Sequence, residues 1–231
     1  MPSVFKRIAV GTSFLALTLI GAANPNFITS TFETGLNGWE PDNPWTTSDI
    51  DGLTPGNDYL RIEAVGSGKG GKMITFNPTS EWTGNYFSAG VTGIRMDVSN
   101  WSESDTVFLR IALGNRANPQ QSGGTWFLSN TAIVIPNDGV WSNVFLPLNE
   151  PDLVRVANLI GEVGTDTYAA TFSDIRNIRI LSAEIPLGAI GDEFVGNVGI
   201  DNIMLVPEQS QLPLAIGIGL AVIGIRKRWL S

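Results

Sequence analysis

Between positions 27 and 206 the apolar residues recur at every second place in short runs, and clusters of Gly, Pro, Asn, Asp and Ser divide the runs. That period belongs to β-strands, whose successive side chains point to opposite faces, and it is wrong for helices. In 58–65, Leu60, Ile62 and Ala64 alternate with Tyr59, Arg61 and Glu63. In 86–100, Ile94, Met96 and Val98 alternate with Arg95 and Asp97, and in 106–113 Val107, Leu109, Ile111 and Leu113 face away from Phe108, Arg110 and Ala112. Further strands are expected at 27–32, 72–77, 125–135, 140–148, 175–181 and 198–206. Pro136-Asn137-Asp138-Gly139 reads as the turn of a hairpin between 125–135 and 140–148, because Asp-Gly readily takes the positive backbone angles of a tight turn. Only 150–161 looks helical, with Asn149 as its cap, Glu150 and Asp152 in its first turn, and Leu153, Val156, Ala157 and Ile160 on one face. One helix among late strands makes no βαβ repeat. The expected class is all-β, a β-sandwich of jelly-roll type with one short helix, and its longest exposed loops are at 41–58 and 114–124.

Composition narrows the chemistry. The chain has neither Cys nor His, which removes disulfides, thiol nucleophiles, Ser-His triads and ordinary zinc sites. Five of its fourteen basic residues, Lys6, Arg7, Arg226, Lys227 and Arg228, stand at the ends. Residues 24–210 therefore hold all 22 acidic side chains against nine basic ones, a net of −13. Such a surface repels phosphate backbones, so nucleic acid is not an expected partner.

The two ends differ from the middle. Lys6-Arg7, an apolar run from Ile8 to Ile20 and Gly21-Ala22-Ala23 form the three parts of a signal peptide, with cleavage after Ala23. At the other end a hydrophobic segment, 212–225, precedes Arg226-Lys227-Arg228. Its length makes about 21 Å of helix, against a hydrocarbon thickness of roughly 30 Å, and Trp229 and Leu230 extend it if the basic side chains snorkel. The expected organisation is a signal peptide over 1–23, a β-sandwich domain over 24–205 and an anchoring or sorting tail over 206–231. The segment 212–225 would meet the membrane and the domain would lie outside it.

Val206-Pro207-Glu208, a short spacer, the apolar stretch and the terminal basic cluster resemble the PEP-CTERM sorting tail of exported bacterial proteins, although Gln209 stands where that family carries its second proline. The resemblance implies an exosortase-like processing protease as a partner, and a final location at the outer membrane face, the cell surface or the extracellular matrix. Within the domain, Phe32-Glu33-Thr34-Gly35-Leu36-Asn37-Gly38-Trp39, Asn57-Asp58-Tyr59-Leu60, Gly124-Thr125-Trp126-Phe127-Leu128 and Gly199-Ile200-Asp201-Asn202-Ile203 occur in an order similar to that of galactose-binding-like jelly rolls. They resemble the laminin IV (laminin B) type most. That resemblance implies a structural calcium held by Glu33 and Asp201, joining the first and last strands. The chemistry suits it, because calcium takes six to eight hard oxygens.

Seven Trp residues punctuate the chain. Trp39, Trp126 and Trp141 fall in or beside expected strands and read as core. Trp45, Trp82 and Trp101 fall in turn-rich stretches among Asp, Glu, Ser and Asn, where a flat ring beside polar groups suits stacking on a sugar. Their competing reading is as loop aromatics folded over the sandwich edge. No pair of carboxylates is marked out as acid and base. The first functional expectation is a noncatalytic, adhesive or structural protein of the envelope or matrix. The alternatives are a carbohydrate-binding module for an extracellular polysaccharide and a carboxylate-dependent glycoside hydrolase.

Overall fold

The computed structural model describes residues 29–41, 47–51, 56–66 and 71–208. The expected signal peptide, the segment 212–225 and Trp45 lie outside the described residues. No helix among the described residues is long and apolar enough to cross a membrane.

In chain order the strands are β1 (Thr29–Ser30), β2 (Glu40–Pro41), β3 (Thr47–Asp51), β4 (Tyr59–Val65), β5 (Ile74–Asn77), β6 (Val91–Asn100) and β7 (Val107–Gly114). They continue as β8 (Trp126–Ser129), β9 (Ile133–Ile135), β10 (Ser142–Pro147), β11 (Leu153–Val156), β12 (Asn177–Ser182) and β13 (Val195–Pro207). Two short helices, α1 (Tyr86–Ala89) and α2 (Tyr168–Phe172), interrupt them. The strands form two antiparallel sheets. The front sheet runs β10-β6-β13-β4-β3, with β1 also paired to β13; the back sheet runs β11-β8-β7-β12-β5-β2, with β9 also paired to β7. The fold is a β-sandwich of jelly-roll type, as the alternation predicts.

The inner faces are the apolar sets of the sequence pattern. Leu60, Ile62, Ile94, Met96, Val98, Leu109, Ile111, Leu113, Ile178 and Ile180 are buried together between the sheets. At about 25 cal/mol per Å² of apolar surface removed from water, this shared interior is the main force holding the two layers together.

Four expectations need correction. The stretch 41–58 is not all loop, because β3 within it pairs with β4. Residues 150–161 are not a helix: a single 3₁₀ turn, Glu150–Asp152, leads into β11, which pairs with β8. Leu153 and Val156 are buried along the strand, and the β-branched Val154 and Val156 suit a pleated surface better than a helix. Residues 125–135 and 140–148 do not form a hairpin. β8 and β9 both pair with β7 in the back sheet, whereas β10 pairs with β6 in the front one. The Asp138-Gly139 turn carries the chain between layers, because Gly139 N–H bonds the Asn100 carbonyl at the end of β6 at 3.0 Å. Finally, 86–100 opens as α1, capped by the Asn85 side chain and ended by Gly90 in the left-handed conformation, before it becomes β6.

The outer face of the back sheet is covered. Ile74, Ala112, Trp126, Leu128 and Leu181 point outward from it and are buried under Ala183 and Ala189 as a second apolar cluster. Arg110 fastens this cover, with its Nε donating to the Ala183 carbonyl at 2.7 Å and its terminal nitrogens to Ser129, Asn130 and Glu184 carbonyls at 2.6–2.8 Å. Burial lowers the Arg110 pKa, and the charge of Asp192 works against that fall.

Candidate functional site

Among the described residues nothing covers the end of the outer face of the front sheet where Trp101 and Trp141 stand exposed. Antiparallel register sets its side chains in rows across the strands. Gly199 of β13 lies between Ser99 of β6 and Arg61 of β4, and Asp201 lies beside Asp97, which in turn lies beside Asn143 of β10. Trp141 precedes β10 and Trp101 follows β6, so both indoles arrive at the same end of this face. Their ring centroids are 5.5 Å apart at 80°. Tyr59 completes the group, 5.4 Å from each. Edge-to-face contacts of this kind hold rings at fixed angles.

Gly199 permits the arrangement. A Cβ there would run into both indole rings, so only glycine lets them settle on the strand. Trp101 and Trp141 keep 36% and 42% of their surface exposed, and Phe145 stands exposed on the same side.

Polar groups flank the rings. Asn143 donates to Asp97 Oδ1 at 2.7 Å, and the Asn202 amide donates to Asp97 Oδ2 at 2.8 Å and to Asp201 Oδ2 at 3.2 Å. Asn202 reaches both because it sits in the left-handed region (φ 51°), where the pairing of β13 with β6 shifts register between Asp201 and Met204. Such bulges re-aim side chains. Burial raises the Asp201 carboxyl above its ordinary pKa. The Asn202 N–H lowers it again, and the charges of Asp97 and Glu33 add to the rise.

The expected site residues divide sharply. Trp101 stands on the open face as a stacking residue should. Trp82 does not: it is fully buried, edge-on to Trp39 at 5.2 Å, and no sugar reaches it. Its turn folds inward because the Trp82 N–H bonds the Thr79 carbonyl and Tyr86 Oη bonds the Trp82 carbonyl at 2.6 Å. Trp39 and Trp126 are core, but Trp141 is not. Tyr59 and Trp141 are the functional candidates that sequence reading missed. A signal was present, since Tyr59 shares the outward phase of Arg61 and Glu63, and Trp141 that of Asn143.

Glu33 and Asp201 lie near enough for the charge of Glu33 to act on Asp201. Glu33 Oε1 accepts from the Asp58 N–H at 3.1 Å, and Asp201 accepts from Asn202 at both oxygens. Among the described residues no group of three or more acidic side chains is disposed to hold a metal ion.

No protein-family model matches the chain, and no curated protein matches it in sequence. Solved structures do match it in shape. The family 11 carbohydrate-binding module from Clostridium thermocellum, solved in complex with a β-1,3-1,4-mixed-linked tetrasaccharide, superposes with a TM-score of 0.50 at 16% identity, over 82% of this chain and 98% of that one. The CBM22-1 xylan-binding domain from Paenibacillus barcinonensis gives a TM-score of 0.47 at 14% identity, over 80% and 99%. The likeness is one of fold.

Proposed function

We propose that this chain is a noncatalytic carbohydrate-binding protein whose ligand lies on the outer face of the front sheet. The observation that carries the reading is the open cluster of Tyr59, Trp101 and Trp141 beside the amides and carboxylates of Asn143, Asp97, Asp201 and Asn202. Flat apolar faces stack on the C–H faces of sugar rings, and fixed donors and acceptors hold their hydroxyls. The family 11 module that shares this fold was solved holding a β-1,3-1,4-mixed-linked tetrasaccharide, which supports the same reading. An adhesive role in an envelope or matrix would follow from polymer binding. The resemblance of residues 206–231 to a PEP-CTERM tail supports placing the domain outside the cell.

Affinity electrophoresis of the full-length protein through gels containing soluble polysaccharides tests this. Mobility should fall in at least one neutral or basic polymer, and the Trp101→Ala and Trp141→Ala proteins should lose that retardation while keeping their fold. Unretarded migration in every polymer, or retardation that both variants preserve, would remove the reading.

A further inference from the structure

Two outward-facing glycines of the front sheet carry aromatic rings. Gly199 seats the Trp101 and Trp141 indoles, and Gly93 of β6 seats the Phe145 ring, which a Cβ at Gly93 would strike. Gly93 is buried under that ring, yet Phe145 keeps 40% of its surface exposed. A lone exposed phenylalanine is ordinary, but this one stands in line with a second ring cluster. β10 is the edge strand of its sheet, and Trp141 just before it, Asn143 and Phe145 share its outward phase and are all exposed. Between the two platforms the register sets Asn143 beside Asp97, and it sets the exposed Arg95 beside Phe145. Amide and guanidinium donors and carboxylate acceptors thus separate two apolar surfaces. Trp141 and Phe145 are four residues apart, about 13 Å of strand, and Gly93 lies six residues along β6 from Ser99, the partner of Gly199, about 20 Å.

We infer that Phe145 is a second stacking platform, and that the ligand is a single extended glycan chain, longer than a disaccharide, lying along β10 from the Trp101–Trp141 cluster to Phe145. This deepens the carbohydrate reading above and rests on it. An extended glycan presents C–H faces at regular intervals and hydroxyls along its edges, so one chain meets both aromatic platforms and the polar row between them. The distance between the platforms sets the length: a sugar too short to span it gains only one of them. A chain crossing the strands instead would leave the cluster over Gly199 toward Arg61, which is ion-paired with Asp51 at 3.4 Å. The last strand on that side, β3, has the sequence Thr-Ser-Asp-Ile-Asp and brings no aromatic ring. The second platform therefore fixes the direction of the chain as well as its length.

The test is calorimetric titration of the full-length protein with the disaccharides and hexasaccharides of cellulose, xylan, mannan and chitin. At least one hexasaccharide should bind about tenfold or more tightly than its own disaccharide. Phe145→Leu, which keeps apolar cover over Gly93 but removes the flat ring, should weaken that hexasaccharide by about fivefold or more and leave the disaccharide within about twofold. Phe145→Tyr, which keeps the ring, should bind both as wild type does, and Trp141→Ala should weaken both. Arg61→Gln, on the path across the strands, should leave the hexasaccharide within about twofold. Equal affinity of wild type for disaccharide and hexasaccharide overturns the inference and leaves the carbohydrate reading standing. So does hexasaccharide affinity that Phe145→Leu does not change, and a loss in Arg61→Gln as large as in Phe145→Leu overturns the direction along β10. Binding of none of these sugars, together with free migration through every polysaccharide gel, overturns both readings.

Discussion

On the back sheet the outward positions Ile74, Ala112, Trp126, Leu128 and Leu181 are apolar and lie beneath the segment containing Ala183 and Ala189. On the front sheet the outward positions Tyr59, Arg61, Asp97, Asn143 and Asp201 are polar or amphipathic, and nothing in the described chain covers the rings beside them. Both faces hold tryptophans, and the two kinds of use show in what surrounds each. Trp126 has no exposed surface and lies under the Arg179 guanidinium, 5.8 Å from its ring. Trp141 keeps 42% of its surface exposed. A ring sealed from water serves stability, and a ring held at a fixed angle with one face wet is prepared for a ligand.

Substitutions should separate the two uses. The largest effect is expected from Trp126→Ala, which empties the back cover and should cost about 3–5 kcal/mol of unfolding free energy, read from denaturant midpoints at unchanged m-value. Arg110→Leu should follow at about 3 kcal/mol, because the carbonyls of Ala183, Ser129, Asn130 and Glu184 lose their shared donor. That variant should also open the cover, so amides near Ala183 should exchange faster than those of β6. Trp141→Ala should reverse the pattern, with a change in stability under about 1 kcal/mol and a loss of polysaccharide affinity on the order of tenfold or more. Equal stability losses for Trp126→Ala and Trp141→Ala would erase the distinction between the faces.

The smallest expected effect is that of Asp201→Asn. The Asp201 carboxyl holds its proton more tightly in the folded chain than in the unfolded one, so its contribution to stability falls as pH rises from its ordinary pKa through the raised value. Replacing it with a neutral amide should therefore leave the midpoint temperature unchanged in acid and raise it slightly at neutral pH. A midpoint lowered at neutral pH would show that the Asp201 charge is compensated.

Much of this contrast was legible in the sequence, and the failures follow from its physics. Period-two alternation assigned the inner faces of β4, β6 and β7 correctly, because each of these strands buries one side against the other sheet. It could not say which outer face is covered, since that depends on the distant segment around Ala183. Trp82 and Trp141 exchanged expected roles. Trp82 sits in a polar turn that folds inward onto Trp39, and Trp141 sits beside an apolar strand but in its outward phase. Residues 150–161 carry apolar spacing that fits a helix or a strand, and pairing with β8 decided it. The Asp138-Gly139 turn is a good hairpin turn in isolation, and its bond to Asn100 sends it to the other layer. The Asp97–Asp201 pair was invisible, because 104 positions of chain separate residues that register places side by side.

The most direct test of the account is hydrogen–deuterium exchange of the full-length protein with and without a retained polysaccharide. Protection on binding should appear in 57–61, 97–101, 139–145 and 197–202, the four segments that meet on the open face. Protection confined instead to 157–164 and 183–192, on the covered side, would contradict it.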